Sequence, residues 1–173
     1  MKIKLSDIKS GFQNRFFDIP VVDIPQKGTV FKNDNIRCRL SVDLLDINSF
    51  NLNGEIDTKI EYKCVRCLDL FDSIMSLPFD ILLTNKLESS MDKDMTEIID
   101  LSSIKDELDL SNILTDFIEL DNPLKPLCLD GCNGICLICG INKNNLSCDC
   151  KNDQTNGIWN KLKKLENKKT QGE

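Results

Sequence analysis

The chain has 173 residues, of which 40% are hydrophobic and 29% charged, as in a globular domain that buries a core. Its 22 basic and 28 acidic side chains give a net charge of −6, which excludes a generally basic nucleic-acid coat protein. The chain has nine Cys and no His, which excludes Ser-His-Asp and Cys-His catalysis and leaves sulfur to carry any metal site. We therefore predict that the protein is not an enzyme and has no catalytic residues.

The N-terminal half alternates apolar and polar residues, the pattern of strands with one face toward water. The alternation is clearest over residues 36–44 and 52–62, and Cys38 falls on the inward face, where we expect a core thiol. Gly54 suggests a bulge, and residues 85–95 form a polar loop. Further strands are expected at about 68–77, 79–83 and 97–101.

A helix follows the predicted strands. Over Asp109–Glu119, apolar residues recur at i, i+3, i+4, i+7 and i+8, with Asp109 as the expected N-cap. A second, basic helix is expected over about 158–167. The sequence thus predicts an α+β fold in which an antiparallel sheet, open or barrel-like, packs against one helix. We expect this domain to span residues 1–127 and a Cys-rich, zinc-ribbon-like module with the basic helix to span 128–173.

Charge is distributed unevenly along the chain. Residues 81–127 contain 4 basic and 11 acidic side chains, a net −7, whereas residues 151–173 contain 6 and 3, a net +3. A solvated surface is the ordinary explanation of an acidic stretch, and a docking face for a basic partner is the alternative.

Eight of the nine cysteines are clustered in sequence. Cys64-x2-Cys67 is followed, after sixty residues, by Cys128-x3-Cys132, and then by Cys136-x2-Cys139 and Cys148-x-Cys150. The last two pairs can close a compact local site, which leaves the first two pairs to form another. A tetrahedral zinc ion takes four such ligands, and Gly140 lets the chain turn beneath the sulfurs. The spacing favours two zinc sites but leaves open a single site or free thiols.

The cellular compartment can be predicted from the same residues. The N-terminus has no apolar run of a secretory signal, and no segment approaches 18 consecutive apolar residues. We therefore expect a reducing, cytoplasmic compartment, in which clustered cysteines bind metal, and no membrane partner.

Three segments together resemble the YceD family of large ribosomal RNA subunit accumulation proteins. They are YKCVRCLDLF at 62–71, DLSNILTDFIELDNPLKPLC at 109–128 and CNGICLICGINKN at 132–144, and IWNKLKKLE at 158–166 is similar to the family's C-terminal end. The resemblance covers roughly residues 30–166. One departure is that Gln154 to Gly157 stand where the family often has Asp-Pro-Arg.

The resemblance implies a role in accumulation or processing of large-subunit ribosomal RNA, in bacteria or in the chloroplast stroma, without known catalysis. The expected partners are that RNA or its precursor, ribosome-assembly proteins, or both, and no small-molecule substrate. The alternative function is a protein–protein adaptor that docks a basic partner on its acidic face without contacting RNA. The residues expected to contact RNA or a partner are Lys63, Arg66, Lys161, Lys163 and Lys164.

Overall fold

A computed structural model describes residues 1–85 and 97–150. Most of the expected 85–95 loop and the whole of the expected 158–167 helix lie outside the described residues. The described chain forms two compact units, one of residues 1–64 and 69–128 and the other of residues 65–68 and 129–150. None of the helices in the described part is long and apolar enough to cross a membrane. The predicted module over 128–173 stays a prediction, since 151–173 are not described.

All the described strands and α-helices belong to the first unit. The strands are β1 (Lys2–Lys4), β2 (Phe12–Pro20), β3 (Val30–Phe31), β4 (Asn35–Asp46), β5 (Ser49–Lys63), β6 (Leu70–Thr84), β7 (Glu97–Asp100) and β8 (Glu107–Asp109). The helices are α1 (Leu5–Ser10) and α2 (Ser111–Asp121). The mixed α+β class that the sequence predicts is therefore correct.

Six of the strands form one sheet in the order β2-β4-β5-β6-β7, with β3 paired to the far end of β5. A separate two-stranded sheet pairs β1 with β8. Of the two forms expected, open or barrel-like, the sheet is open, because β2 and β7 are its edges and no strand in the described residues joins them. The sheet is also not purely antiparallel, because β7 runs parallel to β6.

The core lies on one face of β4, β5 and β6. Alternate residues of β4 are buried, among them Cys38, which is fully buried as the sequence predicts. The two strands expected at 68–77 and 79–83 are a single 15-residue strand, β6, that contains Pro78. Proline fits there because β7 pairs only with residues 81–84, so no described strand borders β6 beside Pro78.

Gly54 does not form a bulge. It pairs in regular register with Leu40 on one side and Phe79 on the other. A Cβ atom at Gly54 would lie 2.5 Å from the Arg39 carbonyl oxygen and 2.6 Å from the Phe79 ring. Glycine is therefore required because the backbone and the ring approach closely; the register shift in β4 lies instead next to Leu44.

Helix α2 packs on β6 through its apolar face. Leu114 and Ile118 are buried, and the Phe117 ring stacks on Phe79 with centroids 6.0 Å apart. The helix begins at Ser111, two residues later than expected, although the Asp109 carboxylate accepts a 2.9 Å hydrogen bond from the Ser111 N–H. The expected acidic cap thus binds the first helical N–H from outside the helix.

Candidate metal centre

Two Cys-x2-Cys segments make similar turns. The residue after the second cysteine has a left-handed backbone in each case, with φ +65° at Leu68 and +74° at Gly140. Glycine adopts this conformation without strain, whereas a leucine pays about 1–2 kcal/mol. The backbone N–H groups of Cys139 and Ile138 donate to the Cys136 sulfur and lower the pKa of that thiol to about 6. Such N–H···S bonds stabilise the thiolate that binds metal.

The structure brings the eight clustered cysteines into two groups of four. The first cluster is Cys64, Cys67, Cys128 and Cys132, and the second cluster is Cys136, Cys139, Cys148 and Cys150. In each cluster all four sulfur atoms lie within 4.8 Å of one another. Four thiolates at 2.3 Å from a tetrahedral zinc ion would be separated by about 3.8 Å. Each group could therefore hold a metal ion.

The two clusters differ in burial. Cys64, Cys67 and Cys132 are buried and Cys128 is half-buried, whereas Cys139 and Cys150 of the second cluster are exposed. The sulfurs of the second cluster are crowded: the hydrogen bond with Cys139, together with some loss of solvation and the bond with Cys148, raises the pKa of the Cys150 thiol to about 12. A bound cation would relieve this crowding of negative charge, so the donor set suits a soft divalent metal.

Gly134 allows the chain after Cys132 to approach the first turn closely. Its φ is +70°, and a Cβ atom there would lie 3.0 Å from the Arg66 carbonyl oxygen. The same oxygen accepts a 3.1 Å hydrogen bond from the Ile135 N–H. The sequence contains a signal for this contact: Gly134 stands between Cys132 and Cys136, and a glycine in such a position often has a left-handed backbone.

Asn144 contacts a cluster sulfur directly. Its side-chain Nδ2 donates to Cys132 Sγ at 3.2 Å, and its Oδ1 accepts from the Asn133 N–H at 2.8 Å. None of the asparagines of this loop, Asn142, Asn144 and Asn145, has a positive φ. Their loop is closed instead by hydrogen bonds, such as that from the Asn144 N–H to Asn142 Oδ1 at 2.9 Å.

The residues expected to contact RNA or a partner lie in different places. Lys63 is exposed at the end of β5, beside Cys64. Arg66 is exposed, but its Nη1 donates to the backbone carbonyls of Cys132 at 3.1 Å and Asp130 at 3.4 Å. The three tail residues Lys161, Lys163 and Lys164 lie outside the described residues.

The described residues define a class of α+β protein that has an open mixed sheet and two groups of four cysteines. The family model described as "Large ribosomal RNA subunit accumulation protein YceD" matches residues 52–166, more than half of the chain. The chain belongs to this family, which confirms the resemblance seen in the sequence.

Two curated relatives have the printed name "Large ribosomal RNA subunit accumulation protein YCED homolog 1, chloroplastic". The maize protein is 25% identical over 62% of this chain and 46% of its own length. The Arabidopsis thaliana protein is 25% identical over 81% of this chain and 52% of its own length. The chain thus spans about half the length of the curated relatives it matches. No solved structure gives a significant match.

Proposed function

We propose that this protein is a non-catalytic, zinc-stabilised factor that supports accumulation and processing of large-subunit ribosomal RNA during ribosome biogenesis. The observation that carries the proposal is the family match over residues 52–166, which contains all eight clustered cysteines. Both curated relatives are named for accumulation of the large ribosomal RNA subunit. We propose that this chain takes part in the same process, the accumulation of the large ribosomal RNA subunit.

Zinc is the metal we propose for both clusters. Four sulfur ligands favour zinc or an iron–sulfur centre over hard cations, and four cysteines leave no coordination position open for a substrate. Zinc bound in this way supplies folding free energy rather than chemistry. An all-sulfur, closed site supports the proposal that the protein is not an enzyme.

Contact with RNA must be local, because the chain has a net charge of −6 and residues 81–127 alone have −7. We propose that the contact uses Lys63, Arg66 and the three lysines at 161, 163 and 164. Lys63 and Arg66 are both exposed beside the first turn, so they present positive charge next to a cluster. A zinc ion with four thiolates has a net charge of about −2, which nearby basic groups offset.

Crosslinking followed by affinity purification and sequencing of the bound RNA tests this proposal. We expect large-subunit ribosomal RNA or its precursor to be enriched, with binding that weakens as salt rises. The combined variant Lys161→Ala, Lys163→Ala, Lys164→Ala should reduce both the binding and its salt dependence. A matched control removes three exposed lysines of the first unit that line one shallow cavity, at positions 4, 9 and 105.

The adaptor function is the second candidate, and the acidic stretch is the observation that favours it. The Asp116 carboxylate on α2 already pairs with Lys27, and Glu119 accepts a 3.1 Å hydrogen bond from the Thr29 N–H. Because these two carboxylates already bind groups of the first unit, they are less available to a basic partner than the rest of the acidic stretch. If the triple lysine variant at positions 161, 163 and 164 still binds RNA but no longer binds a ribosome-assembly protein, the adaptor function is correct.

The compartment we propose is the bacterial cytoplasm or the chloroplast stroma. The two relatives are named chloroplastic. Both compartments keep thiols reduced, which lets cysteines serve as metal ligands instead of forming disulfides.

A further inference from the structure

Asn144 belongs to the loop of one cluster but bonds to a ligand of the other. It lies between Cys139 and Cys148 of the second cluster, yet its Nδ2 donates to the sulfur of Cys132 in the first cluster at 3.2 Å. Cys132 precedes the Cys136-x2-Cys139 turn in sequence, whereas Asn144 and Cys148 follow it. The hydrogen bond therefore connects the two clusters through a single side chain.

The position of Asn144 depends on the turn that the second cluster forms. The Cys136 N–H donates to the Ile141 carbonyl at 2.8 Å, and the Gly140 N–H donates to the Cys136 carbonyl at 2.8 Å. Beyond the turn, the Lys143 N–H donates to the Gly134 carbonyl at 2.8 Å. The second cluster draws its cysteines from both sides of this loop, with Cys136 and Cys139 before it and Cys148 after it. Loss of the second cluster would leave the loop held only by hydrogen bonds such as these.

We propose that Asn144 is a positioning residue that couples the two clusters, so that zinc in the second cluster strengthens zinc binding in the first. This inference rests on the proposed zinc in both clusters. An N–H donor aimed at a metal-bound thiolate stabilises its negative charge and orients the ligand, as outer-shell partners of metal sites do. Because coupling is reciprocal, zinc in the first cluster strengthens binding in the second by the same factor.

The test measures zinc release to a chromogenic chelator from the full chain. In Cys148→Ser the second cluster cannot form, so the release phase that disappears belongs to that cluster and the remaining phase to the first. Asn144→Ala removes both side-chain bonds of Asn144. Asn144→Asp keeps an oxygen to accept from the Asn133 N–H but removes the donor to Cys132. Asn145→Ala is the matched control, because Asn145 is an exposed neighbour in the same loop.

We expect Asn144→Ala and Asn144→Asp each to speed release from the first cluster by about 10–100-fold, the usual cost of losing an outer-shell partner. Asn145→Ala should release zinc as the wild type does. Cys148→Ser should speed release from the first cluster to a similar extent. Adding Asn144→Ala to Cys148→Ser should have little further effect, because the two substitutions remove the same interaction.

Two results would overturn the inference while leaving zinc in place. One is wild-type release from the first cluster in Asn144→Ala. The other is faster release in Asn144→Ala but not in Asn144→Asp, which would assign the effect to the bond with Asn133. A wild-type chain that contains no zinc after purification without chelator would refute the zinc proposal itself, and the inference with it.

Discussion

Replacing Gly134 by alanine should weaken the second unit more than the same change at Gly140. Both glycines have a left-handed backbone, with φ +70° and +74°. They differ in what surrounds them: a Cβ atom at Gly134 would lie 3.0 Å from the Arg66 carbonyl oxygen, whereas at Gly140 no heavy atom outside its chain neighbours lies within 4 Å. The pair therefore separates backbone strain from crowding.

The magnitude follows from these two contributions. A left-handed alanine costs about 1–2 kcal/mol at either position, and its smaller unfolded-state entropy returns about 0.4–1 kcal/mol. At Gly134 the methyl group also displaces the Arg66 carbonyl, which accepts the 3.1 Å hydrogen bond from Ile135. Losing such a bond costs about 0.5–1.5 kcal/mol. Once crowding is added, we expect Gly134→Ala to destabilise the second unit by about 1–2 kcal/mol more than Gly140→Ala does. This difference corresponds to a factor of about 5–30 in the equilibrium between closed and open forms.

Amide hydrogen exchange at Ile135 measures this difference, because its N–H is the donor of the affected bond. The Ile135 amide should exchange about 5–30-fold faster in Gly134→Ala than in Gly140→Ala. Both variants are measured under conditions in which the exchange rate reports the equilibrium between closed and open forms. Equal exchange rates in the two variants, or a faster rate in Gly140→Ala, would show that the approach to Arg66 does not stabilise the unit.

Three further predictions concern the second cluster, the sheet and the buried thiol. Cys139→Ser should lower the zinc content by about one ion per chain and leave the far-ultraviolet circular dichroism of the sheet unchanged. Global unfolding of this variant would contradict the prediction, because it would mean that the second cluster stabilises the whole chain. Gly54→Ala should destabilise the sheet by about 1–3 kcal/mol in urea unfolding, because its Cβ would overlap Phe79 and a strand carbonyl, and an unchanged midpoint would contradict this. Burial raises the pKa of Cys38 to about 12 from an ordinary 9.0, so the folded state keeps the proton that the unfolded state loses. Stability should therefore fall as pH rises above 9, by at most about 1.4 kcal/mol per pH unit, and less steeply in Cys38→Ala; parallel pH profiles would refute this.

The long strands could be predicted from the sequence because each has one buried face. Over residues 36–44 and 52–62 the period of two appears directly in the residue types, and β4 and β5 cover both ranges. The helix over Ser111–Asp121 was predictable in the same way, from its apolar spacing. Its start was placed early because an acidic residue that binds the first N–H can stand just outside the helix, as Asp109 does.

Other parts of the fold depend on contacts that are distant in sequence. Strands β1, β3 and β8 have two or three residues each, too few for a period to show, and β1 pairs with β8 across about a hundred residues. The parallel direction of β7 does not show in the composition of its four residues. Two strands were expected at 68–77 and 79–83 instead of one, because a sequence does not reveal that the neighbouring edge of β6 is open beside Pro78.

The cysteine clusters were predictable because the cysteines come in closely spaced pairs, a spacing typical of metal ligands. The pairing of Cys64-x2-Cys67 with Cys128 and Cys132 followed from assigning the other four cysteines to a local site, and the sulfurs do lie in these groups. The outer partners were not predictable. The amide of Asn144 could equally have served a turn, and only its distance of 3.2 Å from Cys132 Sγ identifies it as a donor to the sulfur. Arg66 likewise suggested an RNA contact, and the structure adds its bonds to two backbone carbonyls.

The ratio of large to small ribosomal subunits in cells depleted of this protein tests the proposed function most directly. We predict that depletion lowers the ratio and that re-expression of the wild-type chain restores it. A chain with Cys64→Ser and Cys67→Ser, which cannot complete the first cluster, should fail to restore the ratio. An unchanged ratio after depletion would contradict the proposed role in the accumulation of large-subunit ribosomal RNA.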